Sequence, residues 1–151
     1  MVRAVILPLS SPEAVVRELR KNTGLELTQH QGRYSAVGTR LQRYFAGERV
    51  SDWDIPVDLS PYPPFTCRVL QYTLTIPYGQ TRTYGQVAAA LGNHRATRAV
   101  GQALRRNLCP ILIPCHRVVG KLGLVGFTAP GGLETKQALL DLESSRYNRP
   151  L

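Results

Sequence analysis

Ile113-Pro114-Cys115-His116-Arg117-Val118 ends an apolar run, Ile111 to Ile113, in a proline that has no backbone N–H to donate. Such a proline leaves the residues after it in an extended turn at the edge of a core. A cysteine, a histidine and an arginine follow in line. The thiolate is the nucleophilic form of cysteine, and nearby positive charge or a proton acceptor lowers the thiol pKa. His116 is the adjacent acceptor, acting directly or through water, and a carboxylate from elsewhere would orient it. A bare Cys-His pair is more often a structural loop with an inert buried thiol. The surrounding chain has to decide.

Upstream of this stretch the sequence reads as helices. Phe65–Thr75 is the first, with Val69, Leu70 and Leu74 inward, and Ile76-Pro77-Tyr78-Gly79 ends it in a turn. Thr83 caps a second helix, Tyr84–Leu91, whose Val87, Ala88 and Leu91 face a core. Gly92-Asn93 turns the chain into a third, Ala96–Arg106, with Ala99, Val100, Ala103 and Leu104 buried. Helix, short glycine-containing turn, helix is the helix-turn-helix outline, which spacing alone supports only weakly. The last helix adds chemistry to that outline. Its small residues Ala96, Ala99, Gly101 and Ala103 would let a nucleic-acid backbone approach, and Arg98 and Arg105, seven apart, share a face.

Charge points the same way. The chain of 151 residues has a formal net charge of +9. Residues 1–61 hold eight basic and seven acidic side chains, whereas residues 62–151 hold eleven and three. From Leu59 to Leu133 there is no acidic residue, while Arg68, Arg82, Arg95, Arg98, Arg105, Arg106, Arg117 and Lys121 all lie within. A solvated face mixes signs, so a one-sign stretch of this length favours a polyanionic partner, nucleic acid first. A membrane partner is not expected: no basic amphipathic helix or long apolar run supports one. The N-terminus lacks the features of an export signal and the three cysteines are odd in number, so a cytoplasmic, reducing location is expected. A Cys67–Cys109 bridge is conceivable but unsupported, and no cysteine or histidine spacing matches a structural zinc site. No metal and no cofactor are expected.

The first part of the chain reads as a short strand, Val2–Leu9, then a helix over Pro12–Asn22 opened by Ser10-Ser11-Pro12-Glu13. Leu25–His30 alternates as a strand, Val37–Phe45 is a helix with Leu41, Tyr44 and Phe45 on one face, and Trp53–Leu59 is extended. Ser60-Pro61-Tyr62-Pro63-Pro64 is a stiff link, dividing a small domain at 1–61 from a second at 62–151.

Pro114-Cys115-His116-Arg117-Val118, preceded by Arg98-Ala99-Val100-Gly101-Gln102-Ala103-Leu104 and Asn107, resembles the active-site segment of the O6-alkylguanine-DNA alkyltransferases. The resemblance runs from about Tyr44 to Glu143. It implies an α/β protein: a small N-terminal ribonuclease H-like subdomain and a mostly helical, winged-helix-like C-terminal one. It implies transfer of an alkyl group from O6 of guanine in duplex DNA to Cys115, once per molecule, after the nucleotide is flipped out. Cys115, His116 and Glu143 then form a relay, with Glu143 preferred to Asp141. Tyr84 would bond the purine, Thr128 and Phe127 would lie in the loop over it, and backbone groups of Cys115 and Val118 would read the guanine edge. Asn107 would bridge the recognition helix to the active-site turn. Ala96, Thr97, Gly101, Arg105 and Thr66 would meet the DNA, with Arg98 filling the gap left by the flipped nucleotide. A monomer is expected. Phe127 replaces the family's commoner tyrosine, and Ala129-Pro130-Gly131-Gly132 departs from its usual loop.

Two other classes compete. A helix-turn-helix sensor of alkylated DNA would bind without chemistry, but relatives of that kind lack the reactive cysteine. A cysteine hydrolase usually brings its histidine from a distant segment, and it leaves the acid-free arginine-rich stretch unexplained.

Overall fold

The computed structural model describes residues 1–5, 14, 17, 20–21, 35–50 and 53–147. Among these, helix α1 is Ser35–Phe45 and α2 is Pro64–Leu74. Strand β1, Arg82–Thr83, leads directly into α3, Tyr84–Ala90, and then α4, Thr97–Arg105. A 3₁₀ turn, Cys115–Arg117, runs into β2, Val118–Val119, and α5 is Gly132–Tyr147. The described part is thus mixed α/β, mostly helical, with β1 and β2 paired in parallel through Arg82–Val118 and Thr83–Val119.

The three helices expected between 64 and 106 form within a residue of their predicted bounds, and the one at Tyr84 opens on a strong cap. Thr83 and Gln86 make a reciprocal capping box: the Thr83 hydroxyl accepts from Gln86 N at 3.1 Å, and Gln86 Oε1 accepts from Thr83 N at 2.7 Å. Helix α4 follows α3 after a short turn and packs on both α2 and α3. In the N-terminal part, Ala14, Arg17, Arg20 and Lys21 are helical as expected. The rest of that helix, most of the strand at 2–9 and the strand at 25–30 lie outside the described residues. Val2 pairs with Val57 in an isolated parallel bridge, and Arg3 reaches Asp58 at 2.6 Å.

Two inward assignments are corrected. Leu74 is 44% exposed, and the buried stripe of α2 is instead Thr66, Val69, Leu70 and Thr73, at i, i+3, i+4 and i+7. Thr73 can be buried because its hydroxyl donates to the Val69 carbonyl at 2.8 Å. Phe45 is likewise exposed, leaving Tyr44 as the fully buried aromatic of α1.

Among the described residues there are two apolar clusters. One joins Val69, Leu70, Val87, Ala88, Val100, Leu104, Leu112, Ile113 and Val118, with Val2, Ile55 and Val57 of the N-terminal part packed in. The other joins Tyr44, Val50, Tyr78, Ile111 and Leu139. The segment 111–118 contributes to both. Within it the run Ile111–Ile113 is a tight turn: Ile113 N donates to Cys109 O at 2.9 Å, and Ile111 sits at φ 73°. A β-branched residue in the left-handed region is strained, and such strain persists only where packing over-determines it. Ile111 is 1% exposed.

Candidate active site

Pro114 delivers Cys115 into the 3₁₀ turn, and Cys115 N donates back to Ile113 O at 2.8 Å. The next side chain, His116, is fully buried. Its Nε2 lies 2.7 Å from Glu143 Oε1. Glu143 is equally buried and collects five donors. Oε1 accepts from His116, from the Tyr44 hydroxyl at 2.7 Å and from Arg117 Nη2 at 3.0 Å; Oε2 accepts from Arg117 Nε at 2.9 Å and Gly79 N at 3.0 Å. Burial pushes the Glu143 carboxyl up, but the hydrogen bonds from His116 and Arg117 and the Arg117 charge outweigh it and hold the group down at about 2. An ionised carboxylate only accepts, so His116 carries its proton on Nε2. Burial lowers the His116 pKa against the pull of Glu143, which keeps the ring neutral. Its other nitrogen, Nδ1, is buried without a protein partner. The ring is therefore a base with one open acceptor.

Cys115 is half-buried, and burial raises its thiol pKa. A hydrogen bond from Asn107, the charge of Lys136 and the N–H groups of Cys115 and His116 act in the opposite direction. Asn107 also bridges as expected: Nδ2 donates to Ile113 O at 3.0 Å while Oδ1 accepts from Cys109 N at 2.9 Å. The thiol opens onto a cavity of about 380 Å³ whose wall includes Thr97, Arg98, Gly101, Gln102 and Arg105 of α4, together with Tyr84. Val125, Gly126, Phe127 and Thr128 complete it from the loop before α5. Two glycines shape that loop. A Cβ on Gly120 would sit 2.6 Å from Gly123 O, and Gly131, at φ 84°, would place one against the Thr135 hydroxyl.

The structure thus brings together Cys115, His116, Glu143, Asn107, Tyr84, Thr97, Arg98, Gly101, Arg105, Phe127 and Thr128. Asp141 is exposed and accepts from Gln137 at 2.7 Å, so Glu143 is the carboxylate that holds His116. Tyr84 donates its proton to Val125 O at 2.8 Å, and Thr128 donates to Arg105 O at 3.4 Å. Four expectations are corrected. Thr66 is 3% exposed inside the α2 core and cannot face DNA. Ala103 is also core, leaving Ala96, Ala99 and Gly101 as the accessible small residues of α4. Val118 lies behind the cavity wall: its N–H donates to Cys115 O and its carbonyl holds the Lys136 ammonium at 2.6 Å. Arg117, counted above with the basic stretch, is buried on Glu143 and Ile76 O and adds nothing to the exposed charge.

Lys136 and Tyr44 were missed. Lys136 is fully buried, with its ammonium also 3.0 Å from Val125 O, 3.2 Å from Gly126 O and 3.4 Å from Tyr84 Oη. The available signal was spacing: Lys136, Leu139 and Glu143 lie at i, i+3 and i+7, so an inward Glu143 takes Lys136 with it. The cysteines are all free thiols. Among the described residues, no helix is long and apolar enough to cross a membrane, and no three His, Cys, Asp or Glu side chains cluster to hold a metal.

Fold and site define a mixed α/β protein in which helix α4 walls a cavity entered by a cysteine backed by a buried imidazole–carboxylate pair. Residues 64–145 match the model of the 6-O-methylguanine DNA methyltransferase, DNA binding domain family. A methylated-DNA–protein-cysteine methyltransferase of Mycobacterium bovis is 45% identical over 120 residues, covering 79% of this chain and 70% of that protein. The crystal structure of Mycobacterium tuberculosis O6-methylguanine methyltransferase superimposes with a TM-score of 0.73 at 44% identity, over 82% of this chain and 72% of that one. The structure of Mycobacterium tuberculosis OGT in complex with DNA gives 0.70 at 42% identity, over 81% and 78%. The chain belongs to the O6-methylguanine-DNA methyltransferase family.

Proposed function

We propose that this protein is a DNA repair methyltransferase that takes the alkyl group of O6-alkylguanine in duplex DNA onto Cys115, once per molecule. The observation that carries the reading is the opening of the Cys115 thiol onto the cavity beside Arg98, Gly101 and Arg105, with neutral His116 and ionised Glu143 paired behind it. The sulfur attacks the alkyl carbon, the S–C bond forms as the C–O6 bond breaks, and the thiol proton passes to His116 Nδ1, directly or through water. The guanine leaves with the electron pair of that bond, and fixed donors nearby stabilise the charge. Tyr84 lines the cavity and becomes such a donor by turning its hydroxyl from Val125 O to the purine, while the Lys136 ammonium beside it, held by backbone carbonyls, adds positive charge. A thioether has no leaving group that restores the thiol, so the acceptor is consumed. In this reading residues 62–151 bind DNA and accept the alkyl group, while residues 1–61 are a small supporting α/β unit. The protein acts as a monomer in the cytoplasm.

Intact-protein mass spectrometry after mixing with an oligonucleotide carrying one O6-methylguanine tests the reaction. One added methyl group, mapped to Cys115 and absent in Cys115→Ser, is the expected result. No mass change with tight binding to the same DNA would identify a sensor of alkylated DNA instead.

Arg98 tests the extrusion step. Unstacking a base costs a few kcal/mol in a duplex and little in a single strand. Arg98→Ala is therefore expected to slow methyl transfer from duplex DNA about 100-fold, the equivalent of roughly 3 kcal/mol, and transfer from the single-stranded oligonucleotide far less. Equal losses on both would remove Arg98 from that role.

A further inference from the structure

Tyr44 has no place in the reaction described so far. It comes from α1, outside the segment matched by the family's DNA-binding domain, and its ring is fully buried against Phe45, Trp53 and Tyr78. Its hydroxyl donates to Glu143 Oε1 at 2.7 Å, the oxygen that also takes the His116 Nε2 proton at 2.7 Å. The Tyr44 oxygen and His116 Nε2 stand 3.3 Å apart because two donors converge on one acceptor.

We propose that Tyr44 is a positioning residue of the relay: by donating to Glu143 Oε1 it limits the negative charge offered to His116 and keeps the imidazole free to take the Cys115 proton. The inference rests on the reading of Cys115 as the alkyl acceptor. Burial lowers the His116 pKa, and five titratable groups surround the ring. Glu143 of α5 favours a proton on the ring, whereas Arg117 of the same turn and Lys136 of α5 oppose it. Cys115 is the adjacent thiol, and Tyr44 approaches from α1. Arg117 also stacks over Tyr78, 5.6 Å from the ring centroid, so its charge is held in place. Burial and the adjacent carboxylate raise the Tyr44 pKa, so the hydroxyl stays a donor across the working pH range.

Tyr44→Phe keeps the ring and removes one of the five donors to the carboxylate. Glu143 then presents more charge to His116, the ring becomes more basic, and a smaller fraction is neutral at a given pH. The His116 titration midpoint, followed by NMR in wild type and Y44F, is expected to rise by about half to one pH unit in the variant. The acid limb of single-turnover methyl transfer from the O6-methylguanine oligonucleotide should move up by the same amount. A folded Y44F with an unmoved or lower His116 midpoint overturns the proposal. So does a uniform loss of rate with an unmoved pH profile, which would mark a packing role.

If the wild type transfers no methyl group, the acceptor reading fails while the NMR comparison still decides what Tyr44 does to His116. Should Y44F not fold, the wild type alone decides. The Tyr44 hydroxyl proton, shielded from water, should give a resolved resonance with a cross-peak to the His116 Nε2 proton, and its absence overturns the proposal.

Discussion

Glu143→Gln is expected to slow methyl transfer at neutral pH by about 100-fold to 10,000-fold, the usual worth of a positioned general base, and to destabilise the fold by roughly 3 kcal/mol. The exchange preserves shape and removes charge. Arg117, 6% exposed, is left without its carboxylate, and truncating one partner of a buried pair is costly because the other charge stays buried. A glutamine amide also turns an NH2 group toward donors that expect an acceptor. His116 can satisfy that NH2 only by moving its own proton from Nε2 to Nδ1, which closes the nitrogen that should receive the thiol proton. The pH dependence follows from the carboxyl value of about 2 in the fold against 4.5 ordinarily. A depressed carboxyl pKa contributes stability that is fully present above its unfolded value and is lost as pH falls through the folded one. At 1.36 kcal/mol per pH unit the contribution is on the order of 3 kcal/mol. Urea unfolding of wild type and variant should therefore differ most above about pH 5 and converge toward pH 2. A variant as stable as wild type at pH 7, or one that transfers at the wild-type rate, would remove Glu143 from the relay.

What could be read ahead of the structure follows from how local each feature is. Helix α3 carries its own punctuation: the Thr83–Gln86 box opens it, and Gly92, at φ 78°, stops it just past Leu91 and turns the chain toward α4. The Cys115-His116 pair was visible as chemistry, yet its carboxylate was not. Only the resemblance separated Glu143 from Asp141, and the geometric reason is that α5 buries the stripe 136, 139 and 143. Lys136 and Arg117 escaped because lysine and arginine are read as solvated unless a partner is known, and their partners come from β2, the loop and α5. Thr66 failed in the opposite sense. The resemblance implied a DNA contact for it, but its position is set by Val69 and Leu70 beside it. Tyr44 was placed on an apolar face correctly, and nothing within α1 announces that its hydroxyl reaches a residue 99 positions away.

Lys136→Met is the second large effect. Methionine matches the length and apolar stem of lysine and lacks the ammonium, so volume is nearly conserved. The ammonium joins Val118 O of β2 to Val125 O and Gly126 O of the loop, and touches Tyr84 Oη at the start of α3. These elements bound the cavity, so the charge acts as a pin through its wall. Three carbonyls lose a donor at once, and at about 1 kcal/mol net for each the fold should be destabilised by roughly 3 kcal/mol. The same charge helps to lower the Cys115 pKa, so its removal lets burial push the thiol higher. Methyl transfer at pH 7 should fall by more than about tenfold, and the gap to wild type should narrow as pH rises and the thiolate is restored without help. Urea unfolding and single-turnover rates from pH 6 to pH 10 separate the two contributions. Lower stability with a constant rate ratio across that range would mean that Lys136 pins the loop and leaves the thiol alone. Unchanged stability would mean that the carbonyls find other donors, and the pin would have to be abandoned.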